Sequence, residues 1–275
     1  MSNPFIIYFA IGLYAVATAL IAVHLKSTTL DEAQNKASKV SLAQLIAFGG
    51  LVAHGIYAWH ISLVGHTLNF GLSSMLVLVS GLIATIFVIG GVLMPIRRLG
   101  VLVFPLTILS LIFALIWDDS VTILDNTGIA FNAHILVSLL AYSLLTLATV
   151  QALLYVYQER QIKQRTTPAM LLALPPLQTM EILLFRLIAC GFILLTLTLV
   201  SGAIFSQEIF GHPFTFKHHT ILALLGWLVF AVLLFKRVKH GLRGSQAVIW
   251  TVAGFLLIQL GYFGTKIVSE SLSLQ

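Results

Sequence analysis

Histidines are the residues of this chain with the clearest capacity for chemistry, and there are nine of them. Imidazole is the commonest side-chain ligand for metal ions, and it also binds heme iron. His54 lies inside a long apolar run and His66 follows that run, whereas His134 opens a later run and the adjacent pair His218 and His219 precedes another. If the fold gathers these side chains on one side, they form a candidate binding site.

The composition indicates what kind of structural elements must position these histidines. Hydrophobic residues make up 59% of the 275 residues and charged residues only 9%, whereas soluble domains carry roughly 25% charged residues. Apolar runs of about 20 residues, long enough to cross a hydrocarbon core of about 30 Å, recur from end to end. The basic residues behind the net charge of +6 lie in short loops, where they meet lipid headgroups, so we expect a lipid-bilayer partner and no nucleic acid.

The chain is therefore predicted to be an all-α integral membrane protein, a polytopic bundle of about eight transmembrane helices. We expect one transmembrane domain over residues 1–275, without a second domain or an internal repeat. The predicted spans are Phe5–Leu25, Leu42–Leu63, Ser73–Met94, Val101–Trp117, Phe131–Tyr157, Met180–Phe205, His219–Phe235 and Ala247–Ile267.

Loop charge predicts the orientation of these spans. Twelve of the fifteen basic residues fall in the loops after spans one, three, five and seven. They are Lys26, Lys36, Lys39, Arg97, Arg98, Arg160, Lys163, Arg165, Lys236, Arg237, Lys239 and Arg243. Because positive loops stay in the cytoplasm, both termini are predicted to lie on the outer side.

With that orientation, seven of the nine histidines fall toward the outer side, and only His24 and His240 fall at the cytoplasmic face. Heme requires two axial ligands, an apolar slot and cations near its propionates. His134 and either His218 or His219 would supply the ligands, and Lys217 would meet a propionate. The aromatic side chains that would line the slot are Phe214, Phe216, Trp117 and Phe131. The alternative is that these histidines lie at headgroup level without a ligand.

His54 differs because it falls well inside the hydrocarbon, where an ionisable group is costly and suggests function. It is either a ligand for a second heme position or a helix–helix hydrogen-bonding group, an interaction worth about 1 kcal/mol. His60 follows six residues later, about 240° around the helix, so the two do not share a face. His66 lies directly outside the same helix and would be able to join His54 in a cluster.

Catalytic motifs are absent from the sequence. It contains no phosphate-binding glycine loop, no Ser/His/Asp pattern in a credible context and no HExxH zinc motif, so we do not expect an enzyme. Glu181 and Arg186 are a possible ion pair, although a spacing of five residues is poor for a helix.

The second half of the chain, residues 131–268, resembles the cytochrome c assembly family of CcsA, CcmC and HemX types. Within that family it is similar to the inner-membrane YpjD branch. The stretches that carry the resemblance are His134–Ser143, Leu174–Glu181 with Leu184–Arg186, Gly226–Phe230, Gly241–Gly244 and Gly254–Phe255, joined in the first half by Gly65-His66.

The resemblance implies a bacterial inner-membrane protein that holds heme between two external histidines at a tryptophan-rich outer segment. His134 stands where the first external histidine belongs. The Trp-x-Trp-Asp segment of those proteins is replaced here by residues 214–219, and no histidine follows Gly264. His218 or His219 would then replace the second ligand.

Three functions follow as alternatives. The first is a heme-binding protein that handles heme at the periplasmic face, with a membrane or periplasmic protein partner. The second is a regulatory or scaffold membrane protein that acts on a partner without carrying heme, a role that HemX-type proteins look to have. The third is a transporter of a small solute or cation that uses His54 and the outer acidic residues.

Overall fold

The computed structural model describes residues 4–26, 33–64, 67–69, 71–93, 100–117, 123–124, 128–165, 175–206 and 218–261. Within these ranges the chain forms eight α-helices. They are α1 Pro4–Lys26, α2 Ala33–Ser62, α3 Leu72–Leu93, α4 Gly100–Ile116, α5 Ile129–Lys163, α6 Leu177–Ile204, α7 His218–His240 and α8 Ser245–Gln259. The prediction of an all-α polytopic membrane bundle is confirmed.

Six of the described helices are long and apolar enough to cross a membrane, and the two remaining ones, α4 and α8, are apolar but shorter, with 17 and 15 residues. Each of the eight exposes large apolar side chains, such as Leu45 on α2, Ile193 on α6 and Ile249 on α8. Helices with an apolar outer surface satisfy their backbone internally and meet lipid with their side chains. The chain is thus a multi-span membrane protein.

The helices form two compact units, one built from α1 to α4 and the other from α5 to α8. Within each unit consecutive helices contact one another and the fourth helix contacts the first, so each unit is a closed ring of four. Short connections between helices produce such antiparallel neighbours. The expectation of one domain over the whole chain stays a prediction.

A small three-stranded antiparallel sheet accompanies the first unit. Its strands, in sheet order, are β1 Leu63–Val64, β2 Thr67–Asn69 and β3 Ile123–Leu124. Asn69 anchors it to α3, because its side-chain nitrogen donates to Ser74 Oγ at 3.1 Å and its oxygen accepts the Gly71 N–H at 2.9 Å. The sheet therefore links the end of α2 to the start of α3 and to the connection after α4.

Three helices extend well beyond the predicted spans. Helix α2 begins at Ala33 instead of Leu42, α5 ends at Lys163 instead of Tyr157, and α7 ends at His240 instead of Phe235. The added turns are polar, and a hydropathy pattern locates only the apolar part of a helix.

Two glycines bring α7 and α8 into close contact. A Cβ atom on Gly226 would lie 2.6 Å from Ile258 Cγ1 and 3.1 Å from the Gly254 carbonyl oxygen. A Cβ on Gly254 would lie 2.9 Å from Phe230 Cε2. Small residues at a helix interface let two backbones approach closely, which is a common basis of packing in membranes.

Candidate functional site

His134 lies near the start of α5 and is half-buried. Its Nδ1 atom lies 2.9 Å from Ser201 Oγ on α6. The Ser201 oxygen also lies 3.1 Å from the Thr198 carbonyl oxygen. When the hydroxyl donates to that carbonyl, its oxygen accepts from His134 Nδ1–H, and the imidazole is the tautomer with the lone pair on Nε2.

Packing also fixes the position of the His134 ring. A Cβ atom added to Gly202 would lie 3.2 Å from His134 Cε1, so the glycine provides the space that the ring occupies. The Ser138 hydroxyl donates to the backbone carbonyl oxygen of His134 at 2.6 Å within the same helix, and this bond does not involve the imidazole. The ring is therefore oriented by α6.

His134 and His219 lie at the same end of the second unit, which we call the His134 end. Eight residues after His134, the Tyr142 hydroxyl donates to the Ile258 carbonyl oxygen of α8 at 3.3 Å. Beyond Ile258, Gly261 packs on the start of α7, where a Cβ would lie 3.2 Å from the His219 carbonyl oxygen. The start of α5, the end of α6, the start of α7 and the end of α8 thus share this end.

The remaining members of the predicted heme site are not all described. His66, Lys217, Phe214 and Phe216 lie outside the described residues, as does the side chain of His218, so their assignments stay predictions. Of the other predicted wall residues, Phe131 is buried in the second unit one turn before His134. Trp117 follows α4 in the first unit and stacks on Phe113 with ring centroids 5.5 Å apart.

His54 is fully buried inside the first unit and uses both ring nitrogens there. Its Nε2 donates to the Val77 carbonyl oxygen of α3 at 3.0 Å, and its Nδ1 lies 3.5 Å from the Tyr14 hydroxyl of α1. A Cβ on Gly81 would lie 3.3 Å from Nε2, so this glycine makes room for the imidazole. His54 thereby connects three helices.

This geometry supports the helix–helix hydrogen-bonding alternative for His54, and its role as a second heme ligand stays a prediction. His60 is exposed where His54 is buried, as expected for residues on different faces.

His54 belongs to the first unit and His134 and His219 to the second, so a common cavity for the three also stays a prediction. Among the described residues, no three His, Cys, Asp or Glu side chains are arranged to hold a metal ion.

The opposite end of the second unit carries a charged network that the sequence did not reveal. Arg237 of α7 forms an ion pair with Glu181 of α6 and also donates to the Leu242 carbonyl oxygen at 3.0 Å. The Tyr155 side chain of α5 lies close to the same carboxylate. The sequence offered Arg186 as a partner for Glu181 at a spacing that is poor for a helix, and the structure pairs Glu181 with Arg237 instead. The pairing with Arg237 arises because α6 and α7 are neighbours in the bundle.

Comparison with known proteins gives a match over nearly the whole chain. The family described as Cytochrome C assembly protein matches residues 7–273. The inner membrane protein YpjD of Escherichia coli K12 is 31% identical over 212 residues, which cover 74% of this chain and 77% of that protein. Cytochrome c biogenesis protein CcsA of Acorus calamus is 34% identical over 95 residues, 34% of this chain and 30% of that protein. CcsA of a Picosynechococcus strain is 34% identical over 110 residues, 39% of this chain and 32% of that protein.

Proposed function

Because the chain belongs to the cytochrome c assembly protein family, we propose that it acts in cytochrome c biogenesis by binding heme at the His134 end of its second unit. The relatives named as cytochrome c biogenesis proteins support the process. The E. coli relative, named as an inner membrane protein, supports a location in a bacterial inner membrane. His134 would supply one axial nitrogen to the heme iron, and His218 or His219 the other.

The observation that carries this proposal is the hydrogen-bond chain from His134 to Ser201 to Thr198. Histidines that bind a metal almost always donate the other ring N–H to an oxygen, which fixes the tautomer and increases the basicity of the ligating nitrogen. In the tautomer with Nδ1–H bonded to Ser201, Nε2 would be the nitrogen that ligates the iron. The ring is also only half-buried, as access for a large ligand requires.

The second ligand would come from the start of α7. His219 is exposed and shares the His134 end with His134, and His218 is its neighbour in the chain. Two imidazoles that approach from different helix ends match the two axial positions of heme. Lys217 precedes them in sequence and would meet a propionate, because a cation compensates that carboxylate.

The distribution of basic residues supports a periplasmic position for the His134 end. In the described part of the second unit, Lys and Arg occur only near one end of each helix. They lie at the end of α5 after Gln158, at the start of α6 before Ile188, and from the end of α7 after Leu234 to the turn that precedes α8. The described turns at the His134 end contain neither Lys nor Arg. By the positive-inside rule the basic end is cytoplasmic, so the heme site and both chain termini would face the periplasm.

We further propose that the protein handles heme as cargo and does not itself change covalent bonds. Imidazole ligation by paired histidines holds heme reversibly, which suits storage or transfer to a membrane or periplasmic protein partner. The sequence offers no catalytic motif beside His134, in agreement with a binding role.

Titration of the purified, detergent-solubilised protein with hemin tests this proposal. The expected result is a saturable shift of the Soret band to the spectrum of a low-spin, bis-histidine heme. A protein that gives only the spectrum of free hemin in detergent would contradict the proposal. The regulatory or scaffold function would then be favoured, because it needs the bundle but no heme.

A further inference from the structure

The turn between α7 and α8 lies at the end of the second unit opposite to the His134 end, where the Lys and Arg residues are concentrated. Gly241 and Gly244 adopt φ values of 64° and 69°, a left-handed backbone that glycine takes without strain. Arg237 stabilises the turn by its hydrogen bond to the Leu242 carbonyl oxygen. The last turn of α7 and the first turn of α8 are therefore held close together.

This turn places Lys236 of α7 over the indole of Trp250 on α8, with Nζ 4.4 Å from the ring centroid. Lys239 and Arg243 lie nearby in the chain and are exposed. We call Lys236, Lys239, Arg243 and Trp250 the Lys236 cluster. A cation above an aromatic face is held by the ring quadrupole and keeps its N–H donors available on the other side.

The acidic residues that the structure describes in this unit offset only part of the positive charge of the Lys236 cluster. Only two such residues occur, Glu159 and Glu181. Glu181 is paired with Arg237, and Glu159 with Lys163 at 2.9 Å. Glu159 Oε1 also lies near the turn, 3.6 Å from a Cβ built on Gly244, and so partly compensates Arg243. Lys236 and Lys239 have no ion pair among the described residues and complement an anionic ligand.

The surface beside these cations is apolar. Phe235 is 57% exposed, Val238 83% and Ile249 66%, although all three lie in the turns of α7 and α8 that carry the Lys236 cluster. In a membrane-spanning bundle such side chains contact acyl chains. Tryptophan is also the residue that typically sits at headgroup level, with its ring between the two environments.

We propose that the Lys236 cluster binds the phosphate of an anionic phospholipid, whose acyl chains lie against Phe235, Val238 and Ile249. The ligand is a lipid because the cations adjoin an exposed apolar surface, which a free phosphate would leave uncovered. Basic residues near a membrane surface attract anionic lipid with about 1 kcal/mol each, a factor of about five in affinity. This inference is independent of heme binding at the other end of the unit.

Native mass spectrometry of the detergent-solubilised full chain, titrated with phosphatidylglycerol or phosphatidylcholine, tests the lipid site. The wild type is expected to retain phosphatidylglycerol in preference to phosphatidylcholine. The double variant Lys236→Gln/Lys239→Gln should lose affinity for phosphatidylglycerol by about 25-fold, the product of the two separate factors. The double variant Arg165→Gln/Arg186→Gln removes the same charge from exposed positions just after α5 and on α6 and should bind as the wild type does.

A second variant keeps the charge and removes the ring. Trp250→Leu should weaken phosphatidylglycerol binding by about threefold, because Lys236 loses its cation–π partner. Equal losses in the two double variants would mean general charge attraction and would overturn the proposal. Displacement of the lipid by millimolar inorganic phosphate, or equal retention of phosphatidylcholine by the wild type, would overturn it as well.

Discussion

His134 and His54 both hydrogen-bond across a helix interface, but they differ in burial. His54 donates to a backbone carbonyl at 3.0 Å and has the Tyr14 hydroxyl at its other nitrogen, entirely within the interior of the first unit. His134 Nδ1 lies beside the Ser201 hydroxyl, and the ring is only half-buried. Since an oxygen acceptor orients a ligating imidazole whether it is a carbonyl or another oxygen, burial separates the two: His54 is fully enclosed with both nitrogens engaged and connects helices, whereas a ligand can reach the ring of His134.

Ser201→Ala should lower the affinity of the protein for heme. The variant removes the acceptor for Nδ1–H, so the ring loses its fixed tautomer, and loss of such a partner typically costs about 10- to 100-fold in metal affinity. Hemin titration measures the change. Ser138→Ala is the matched control, because the Ser138 hydroxyl bonds only to the backbone oxygen of His134 in the described hydrogen bonds. An equal effect of both variants would refute a specific role for Ser201.

His54→Ala should destabilise the first unit. It leaves the buried Tyr14 hydroxyl without its interior partner, at a cost of about 1–3 kcal/mol, whereas the Val77 carbonyl still accepts from the Ser80 hydroxyl at 3.1 Å. The measurement is the melting temperature of the detergent-solubilised protein, with His60→Ala as the exposed control. If His54→Ala melted no lower than the control, the connecting role of His54 would be wrong.

At this scale the sequence singled out His134 and His54 but not the groups to which they hydrogen-bond. The bond between His134 and Ser201 joins residues 67 positions apart, and the Arg237–Glu181 pair joins residues 56 positions apart. Such partners come from helix packing, which residue spacing does not contain. His134 itself was predictable because it is a polar residue that opens an otherwise apolar run.

At the scale of the element, hydropathy was sufficient to locate all eight helices, because the cost of burying a polar group in lipid acts on each segment separately. It missed the polar turns of α2, α5 and α7, whose helical structure continues outside the apolar region. The contact between α7 and α8 shows a further limit. Gly226 and Gly254 read as ordinary small residues in the sequence, whereas in the structure each faces the other helix closely.

Gly226→Ala should lower the stability of the second unit by about 1–3 kcal/mol, a typical cost of overpacking. The added methyl group would meet Ile258 at 2.6 Å and the Gly254 backbone at 3.1 Å, so α7 and α8 would have to separate. Gly55→Ala is the matched control, because a Cβ at that position has nothing within 4 Å. Thermal unfolding should show a lower midpoint for the first variant alone, and equal midpoints would contradict the packing argument.

At the scale of the whole molecule, the structure adds the division into two rings of four helices. The order of apolar runs does not contain this grouping, since any run is able to pair with any other. The distribution of basic residues, by contrast, could be predicted from the sequence. The described Lys and Arg side chains of the second unit concentrate at the end opposite to His134, which agrees with the loop charges used to predict orientation.

The orientation gives a prediction for the chain as a whole. Alkaline phosphatase fused to the C-terminus should be active, because the positive-inside rule predicts that both termini lie in the periplasm. A fusion after Lys163, at the end of α5, should be inactive. Green fluorescent protein folds in the cytoplasm, so a fluorescent fusion at the C-terminus would contradict this orientation. The proposed heme site would then lie on the cytoplasmic face.

The central claim, that His134 ligates heme, is tested most directly by the Soret absorbance of His134→Ala after hemin titration. The variant should lose the low-spin spectrum, and added imidazole should restore it by replacing the missing ligand. His240→Ala, which removes an exposed histidine at the opposite end of α7, should retain the wild-type spectrum. Wild-type heme binding that is unchanged in His134→Ala would contradict the account.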